Sequence, residues 1–157
     1  MKYLILSVTM LLGTSTVAQS KILKYLNENK FSLSSMFMAG SFDGTVEIIK
    51  FDYGAFKRVF PNANDQFWDP NISWHNKWQD GERAKGEKFL GSSTVFVWTT
   101  DGYHLLRSSQ KAFIGLGIAF KIGGPRQKWT KYLLDFLTHS VAYSLGFNLS
   151  FEIIFDH

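Results

Sequence analysis

The stretch YLLDFLTHSVAYSLGFNLSFEIIF, residues 132–155, decides how the chain folds. It is apolar almost all round, and its polar members are mostly Ser, Thr and Asn rather than Lys or Glu. A helix of that kind is buried in protein or in lipid, whereas a helix on a water-soluble surface carries one charged face. Its last part offers a competitor. Phe147, Leu149, Phe151 and Ile153 alternate with Asn148, Ser150, Glu152 and Ile154 at strand period, and about eight such strands of ~10 residues would close a small outer-membrane barrel. That alternation is convincing only once, because residues 33–49 and 132–142 lack it.

Three more apolar segments precede it, at 33–49, 89–106 and 112–122. Each is rich in Gly, Ala, Ser or Thr, the small residues that let membrane helices approach closely; Ala39, Gly40 and Gly44 are an example. The expected fold is therefore mainly α: a small membrane bundle of three to four helices with a long, polar, aromatic-rich loop. The alternatives are core helices of a soluble or peripheral protein, with Asp43, Glu47, Asp101 and Asp135 marking exposed faces, and the small barrel. Residues 1–18 begin with one Lys, run apolar from Tyr3 to Leu12 and end in Thr16 and Ala18 at signal-peptidase spacing, which predicts an export signal. Residues 19–157 are then a single membrane-associated domain of the cell envelope.

Composition agrees with that class. Of 157 residues 17% are aromatic and 19% charged, against roughly 25% charged in soluble domains. A disordered or solvating acidic chain is excluded. There is no Cys, so disulfides, zinc-thiolate sites and thiol catalysis are excluded as well. The net charge of +4 is mild and no five-residue window is solidly Lys or Arg, so nucleic acid is not an expected partner; membrane lipid and other envelope proteins are. No acid lies between Gly102 and Leu134, while Lys121, Arg126, Lys128 and Lys131 cluster in KIGGPRQKWTK. The positive-inside rule makes that turn cytoplasmic. Segments two and three then form an out-and-back pair, with Arg107 and Lys111 in its outer turn, against the rule.

Residues 50–88 carry seven basic and six acidic residues, with Pro61, Pro70 and several Asn that favour turns over regular structure. Trp68, Trp74 and Trp78 argue against disorder there. They could form a recognition surface on which aromatic faces stack against a glycan or lipid head group while Asp65, Asp69 and Asn71 hydrogen-bond to it. The blander reading is an aromatic belt at the membrane boundary. The runs DGTVEIIKFDY, FPNANDQFWDPNISWHNKW and GSSTVFVWTTDGYHLLR, with the closing segment from Lys128 to Phe155, resemble a group of small exported or membrane proteins widespread in Bacteroidota. The similarity covers nearly the whole mature chain. The group has no established activity, so the resemblance implies a bacterial envelope location and no catalytic residues.

Three pairs have helical spacing: Asp43 with Glu47, Asp101 with His104, and Asp135 with His139. Were the three faces to converge, two imidazoles and four carboxylates would resemble the sets that hold metals between helices. A divalent metal is the one cofactor this pattern could serve, with Asp101, His104 and His139 as ligands. Its activated water would attack a phosphoester or amide, Asp101 or Glu47 acting as general base. Against this metal-dependent hydrolase, each acid has a cation nearby in sequence: Lys50 for Glu47, Arg107 for Asp101 and Lys131 for Asp135. The topology above also puts the Asp101 and Asp135 pairs on opposite sides. Neither a phosphate-binding glycine loop nor a Gly-x-Ser-x-Gly nucleophile elbow is present. The expected role is thus a structural or accessory membrane component.

Overall fold

The computed structural model describes residues 16–123 and 125–156, so residues 1–15 of the expected signal lie outside the described ones. The chain is mainly helical. It falls into two compact units, Met1–Phe31 and Ser32–His157. Six α-helices are present among the described residues: α1 (Thr16–Phe51), α2 (Tyr53–Val59), α3 (Asp65–Trp68), α4 (Pro70–Ser73), α5 (Gly102–Ala119) and α6 (Trp129–Asn148). In the first unit α1 exposes Lys24 and Glu28, one turn apart at 3.9 Å, beside exposed Ile22, Leu23 and Leu26.

In the second unit, residues 32–51 of α1 are the central element. Ser32, Ser35, Ala39, Gly40, Gly44, Val46, Ile48 and Ile49 are all buried. Two hydroxyls on this helix bond within it, Ser41 Oγ donating to the Phe37 carbonyl and Thr45 Oγ1 to that of Ser41, which lets small polar residues sit inside a helix. α6 lies directly against it. A Cβ on Gly40 would run into the backbone carbonyl of Tyr143, and one on Gly146 into that of Phe37. Both positions need hydrogen in place of a side chain for the backbones to come this close. Ser41 Oγ also reaches the Gly146 carbonyl at 3.2 Å.

The apolar core gathers at the C-terminal end of α1, where Val46, Ile48 and Ile49 meet Ala55, Phe56, Leu106 and Phe155. Phe56 is its hub, with the Trp68 and Phe155 rings at 5.3 and 5.9 Å. Burying each such side chain is worth roughly 1.5–3 kcal/mol. This end of the fold is ordinary protein interior.

Two expectations are corrected. Residues 89–106 do not form one helix: 89–101 are turns and a 3-10 turn at Val97–Thr99, and α5 begins only at Gly102. The reason is local. Gly91 takes a left-handed φ of +79°, a conformation favourable to glycine, and the backbone N–H groups of Gly91 and Ser93 both donate to the Glu87 carboxylate. That closes a compact turn, and Asp101 then caps α5. The out-and-back pair is thus a single helix, and Arg107 and Lys111 lie within it, away from any turn. The strand period at 147–153 is not realised either. Residues Leu149–Ile154 continue α6 as a π-turn, and Phe147 stacks on Phe151 at 5.3 Å. Among the described residues there is no strand, just an isolated bridge between Trp78 and Glu87.

The loop expected over 50–88 is more regular than its Pro and Asn content suggests. Asp52, Asn64 and Asp69 accept from the N–H groups of Ala55, Gln66 and Asn71, so three short helices are capped in succession. Among the described residues no helix is long and apolar enough to cross a membrane.

Candidate functional site

Asp43 and Glu47 occupy one face of α1, and the cation that meets them comes from α5. Arg107 donates to Asp43 Oδ1 at 2.6 Å and to Glu47 Oε1 at 3.1 Å. The same guanidinium donates to Gln110 Oε1 at 3.0 Å, Gln110 Nε2 donates to the Tyr143 hydroxyl at 2.7 Å, and that hydroxyl donates to Asp43 Oδ2 at 2.7 Å. The four residues close a ring across α1, α5 and α6, with Glu47 attached. All three ionised side chains are less than one-third exposed. The ring ties three helices together and leaves neither Asp43 oxygen unoccupied. It is built to hold, since a carboxylate engaged on both oxygens is a poor base.

The other two pairs stand elsewhere. Asp101 is the N-cap of α5: its side chain accepts from the His104 backbone N–H at 2.9 Å, from His104 Nδ1 at 2.8 Å and from the Thr100 hydroxyl at 3.1 Å. Burial pushes the Asp101 carboxyl up, but the hydrogen bonds from His104 and Thr100 outweigh it and hold the group below the usual carboxylate range. Asp135 pairs with Lys121 of the α5–α6 turn at 2.8 Å. His139 Nδ1 lies 2.6 Å from the Asp135 backbone carbonyl and so is the protonated nitrogen of that contact; Nε2 faces Ser32 Oγ at 3.0 Å.

The three pairs therefore do not converge. Among the described residues no group of three or more His, Asp or Glu side chains could hold a metal ion, and the set Asp101, His104 and His139 is not brought together as a ligand sphere. The local cation partners are corrected as well. Glu47 is met by Arg107 instead of Lys50, Asp101 by His104 instead of Arg107, and Asp135 by Lys121 instead of Lys131. Gln110 and Tyr143 escaped the sequence reading because an uncharged residue in an apolar run carries no signal of its partner. Arg107 carried one, as a cation placed against the positive-inside rule, but its partners 60 and 64 residues away could not be read from local spacing.

The tryptophans of the polar loop divide among different surroundings. Trp68 packs on Phe56 and over Gly102, where a Cβ would strike its ring. Trp74 lies on His75 at 3.7 Å, and Trp78 faces Arg83 at 5.7 Å. Asp69 caps α4 through Asn71. Asp65 takes Lys57 and the Tyr53 hydroxyl, whose hydrogen bonds lower its carboxyl; burial and Asp65 together push the Tyr53 hydroxyl up. Most of these side chains are engaged in shaping the loop. Trp78 lines a polar depression of about 510 Å3 with Gln66, His75, Asn76 and Lys88. Trp68 instead lines an open apolar groove of about 590 Å3 beside Phe42, Phe56, Phe60 and Phe155.

The remaining feature is the sorting of α6. Its more sheltered positions are Asp135, Thr138, His139, Ala142, Tyr143, Gly146, Phe147 and, just beyond, Ser150. Its exposed positions include Trp129, Leu133, Leu134, Phe136, Leu137, Val141 and Leu145. The ionisable residues Asp135 and His139 and the small residues Ala142 and Gly146 face the protein, while most of the large apolar residues face outward together with Ser140, Ser144 and Asn148. Folding in water selects the opposite arrangement.

Compared with known proteins, the chain matches no family model, no curated protein and no solved structure.

Proposed function

We propose that the chain is a helical membrane component of a bacterial cell envelope, structural or accessory in role, set in lipid by the outward face of α6. One observation carries this reading: α6 holds Asp135, His139 and Tyr143 half-buried on its protein side and exposes Leu133, Leu137, Val141 and Leu145. Each of these is about half exposed, so leaving it in water forfeits roughly 1 kcal/mol, whereas acyl chains accept it at no cost. Mean hydropathy counts both faces of a helix alike, so a polar inward stripe lowers it without touching the lipid-facing side. From Leu133 to Leu145 the exposed apolar positions of α6 extend over about 18 Å at helical rise.

Other features support the same environment. The glycine-mediated contact of α1 with α6 suits helices that associate by close packing. The Arg107 ring suits a place where ionised groups must pair with one another. The export-signal pattern and the Bacteroidota resemblance favour an envelope location. The hydrolase alternative has lost its geometric basis, because its three pairs lie apart and each serves a local purpose. The glycan or head-group module has lost its common surface, since Trp68 and Trp78 line different depressions. The test is to place reporters on the outward positions of α6 and ask whether they meet acyl chain or water.

A further inference from the structure

The turn between α5 and α6 and the helix ends that flank it, residues 118–123 and 125–132, combine two properties in a small space. Ile122 and Trp129 are the most exposed apolar side chains there, at 75% and 73%, with Ile118, Phe120 and Tyr132 also exposed. Arg126, Lys128 and Lys131 are exposed among them, and none has a carboxylate partner among the described residues. The nearest acid in sequence, Asp135, is held by Lys121 at 2.8 Å. No acidic residue at all lies between Gly102 and Leu134. The turn is shaped by its own contacts, with the Gln127 backbone N–H donating to the Tyr132 hydroxyl at 3.2 Å.

We infer that the α5–α6 turn is a binding surface for anionic phospholipid head groups. This inference rests on the membrane reading above and gives it a lipid class. Trp and Tyr settle where hydrocarbon meets head groups, which fixes the depth of Trp129 and Tyr132. At that depth three uncompensated cations meet phosphates, and a leaflet rich in phosphatidylglycerol satisfies them where a zwitterionic one does not. Charge complementarity selects the occupant: the apolar residues alone would accept any lipid, the cations select the anionic one. Lys121 contributes indirectly by removing the one carboxylate that would otherwise compete.

The test uses the full chain reconstituted into phosphatidylcholine vesicles that carry a trace of dansyl-labelled phosphatidylglycerol or dansyl-labelled phosphatidylcholine. Two quantities are read: flotation after a carbonate wash, and energy transfer from tryptophan to the dansyl group. The native chain floats and transfers more strongly to the phosphatidylglycerol probe. The triple variant R126Q/K128Q/K131Q floats equally well but loses that preference, by roughly fivefold per charge and on the order of a hundredfold for all three. The charge-conserving R126K/K128R/K131R retains it, which separates charge from damage to the turn. Flotation with no preference for the anionic probe, or a preference that survives the triple Gln variant, overturns the inference and leaves the membrane reading standing. Failure of the native chain to float overturns the membrane reading itself, and the inference with it.

Discussion

Arg107 is held at both guanidinium ends, by Asp43 and Gln110 on one side and Glu47 on the other. Removing one partner from such a cluster costs more than the pair is worth, because the opposite charges stay sheltered without compensation. Arg107→Met should destabilise the fold by about 2 kcal/mol, discounted from the fully buried case for the partial exposure of all three groups. Adding Asp43→Asn and Glu47→Gln to that variant should restore most of the loss. Denaturant unfolding of the three chains in one detergent measures this, and no recovery in the combined variant would mean that charge pairing is not what Arg107 supplies. Asp101 offers a pH-dependent counterpart. Its carboxyl is lowered in the folded chain, so its ionised form contributes stability that is complete above the ordinary carboxylate pKa of about 4 and is lost as pH falls through the lowered folded value. The stability difference between the native chain and Asp101→Asn should therefore be constant near neutrality and close toward acid. A difference unchanged from pH 7 to about pH 3 would assign the cap no electrostatic part.

The elements show what one sequence makes legible and what it hides. The helices over 33–49 and 132–148 were readable because their small and apolar residues exclude a charged surface face. Gly40 and Gly44 announced the close approach to α6, although not which helix would supply it. Residues 89–101 hide their turns because Phe89, Leu90, Val95 and Trp98 have the composition of a helix while Gly91 and the Glu87 carboxylate fold them back. The caps at Asp52, Asn64 and Asp69 were visible as letters but gained meaning only with the short helices they start. Ion-pair partners were hidden for a simpler reason. Glu47 and Arg107 lie 60 residues apart, and local spacing carries no information about a contact of that length. At this scale the glycines give the sharpest expectation. Gly146→Val must push the α1 and α6 backbones apart and should cost about 3 kcal/mol or more, whereas Gly115→Ala meets nothing within 4 Å and should be neutral or gain up to about 1 kcal/mol of helix stability. Thermal unfolding of both variants under one condition checks the pair, and equal effects would remove the special role given to the helix contact.

Across the Ser32–His157 unit, two kinds of interior coexist. The end built from Val46, Ile48, Phe56 and Phe155 is an apolar core like that of any globular domain, and the capped loop over 52–100 lies beside it. Along α6 the order is inverted, with Asp135, His139 and Tyr143 turned inward and leucines turned out. That division gives one body a polar, loop-bearing end and an outward apolar flank, with the basic, aromatic α5–α6 turn at the far end of α6. The central claim is that the outward flank of α6 lies in acyl chains. It is most directly tested by nitroxide scanning along α6, which the absence of native cysteine makes straightforward. Single variants Leu133→Cys, Leu137→Cys, Val141→Cys and Leu145→Cys, with inward controls Thr138→Cys and Ala142→Cys, would be labelled in the reconstituted full chain. Collision with oxygen and with a water-soluble nickel complex is then measured at each site. The account predicts high oxygen and low nickel access at all four outward positions and low access to both at the two inward ones. High nickel access at Leu137 and Val141 would place that flank in water and contradict it.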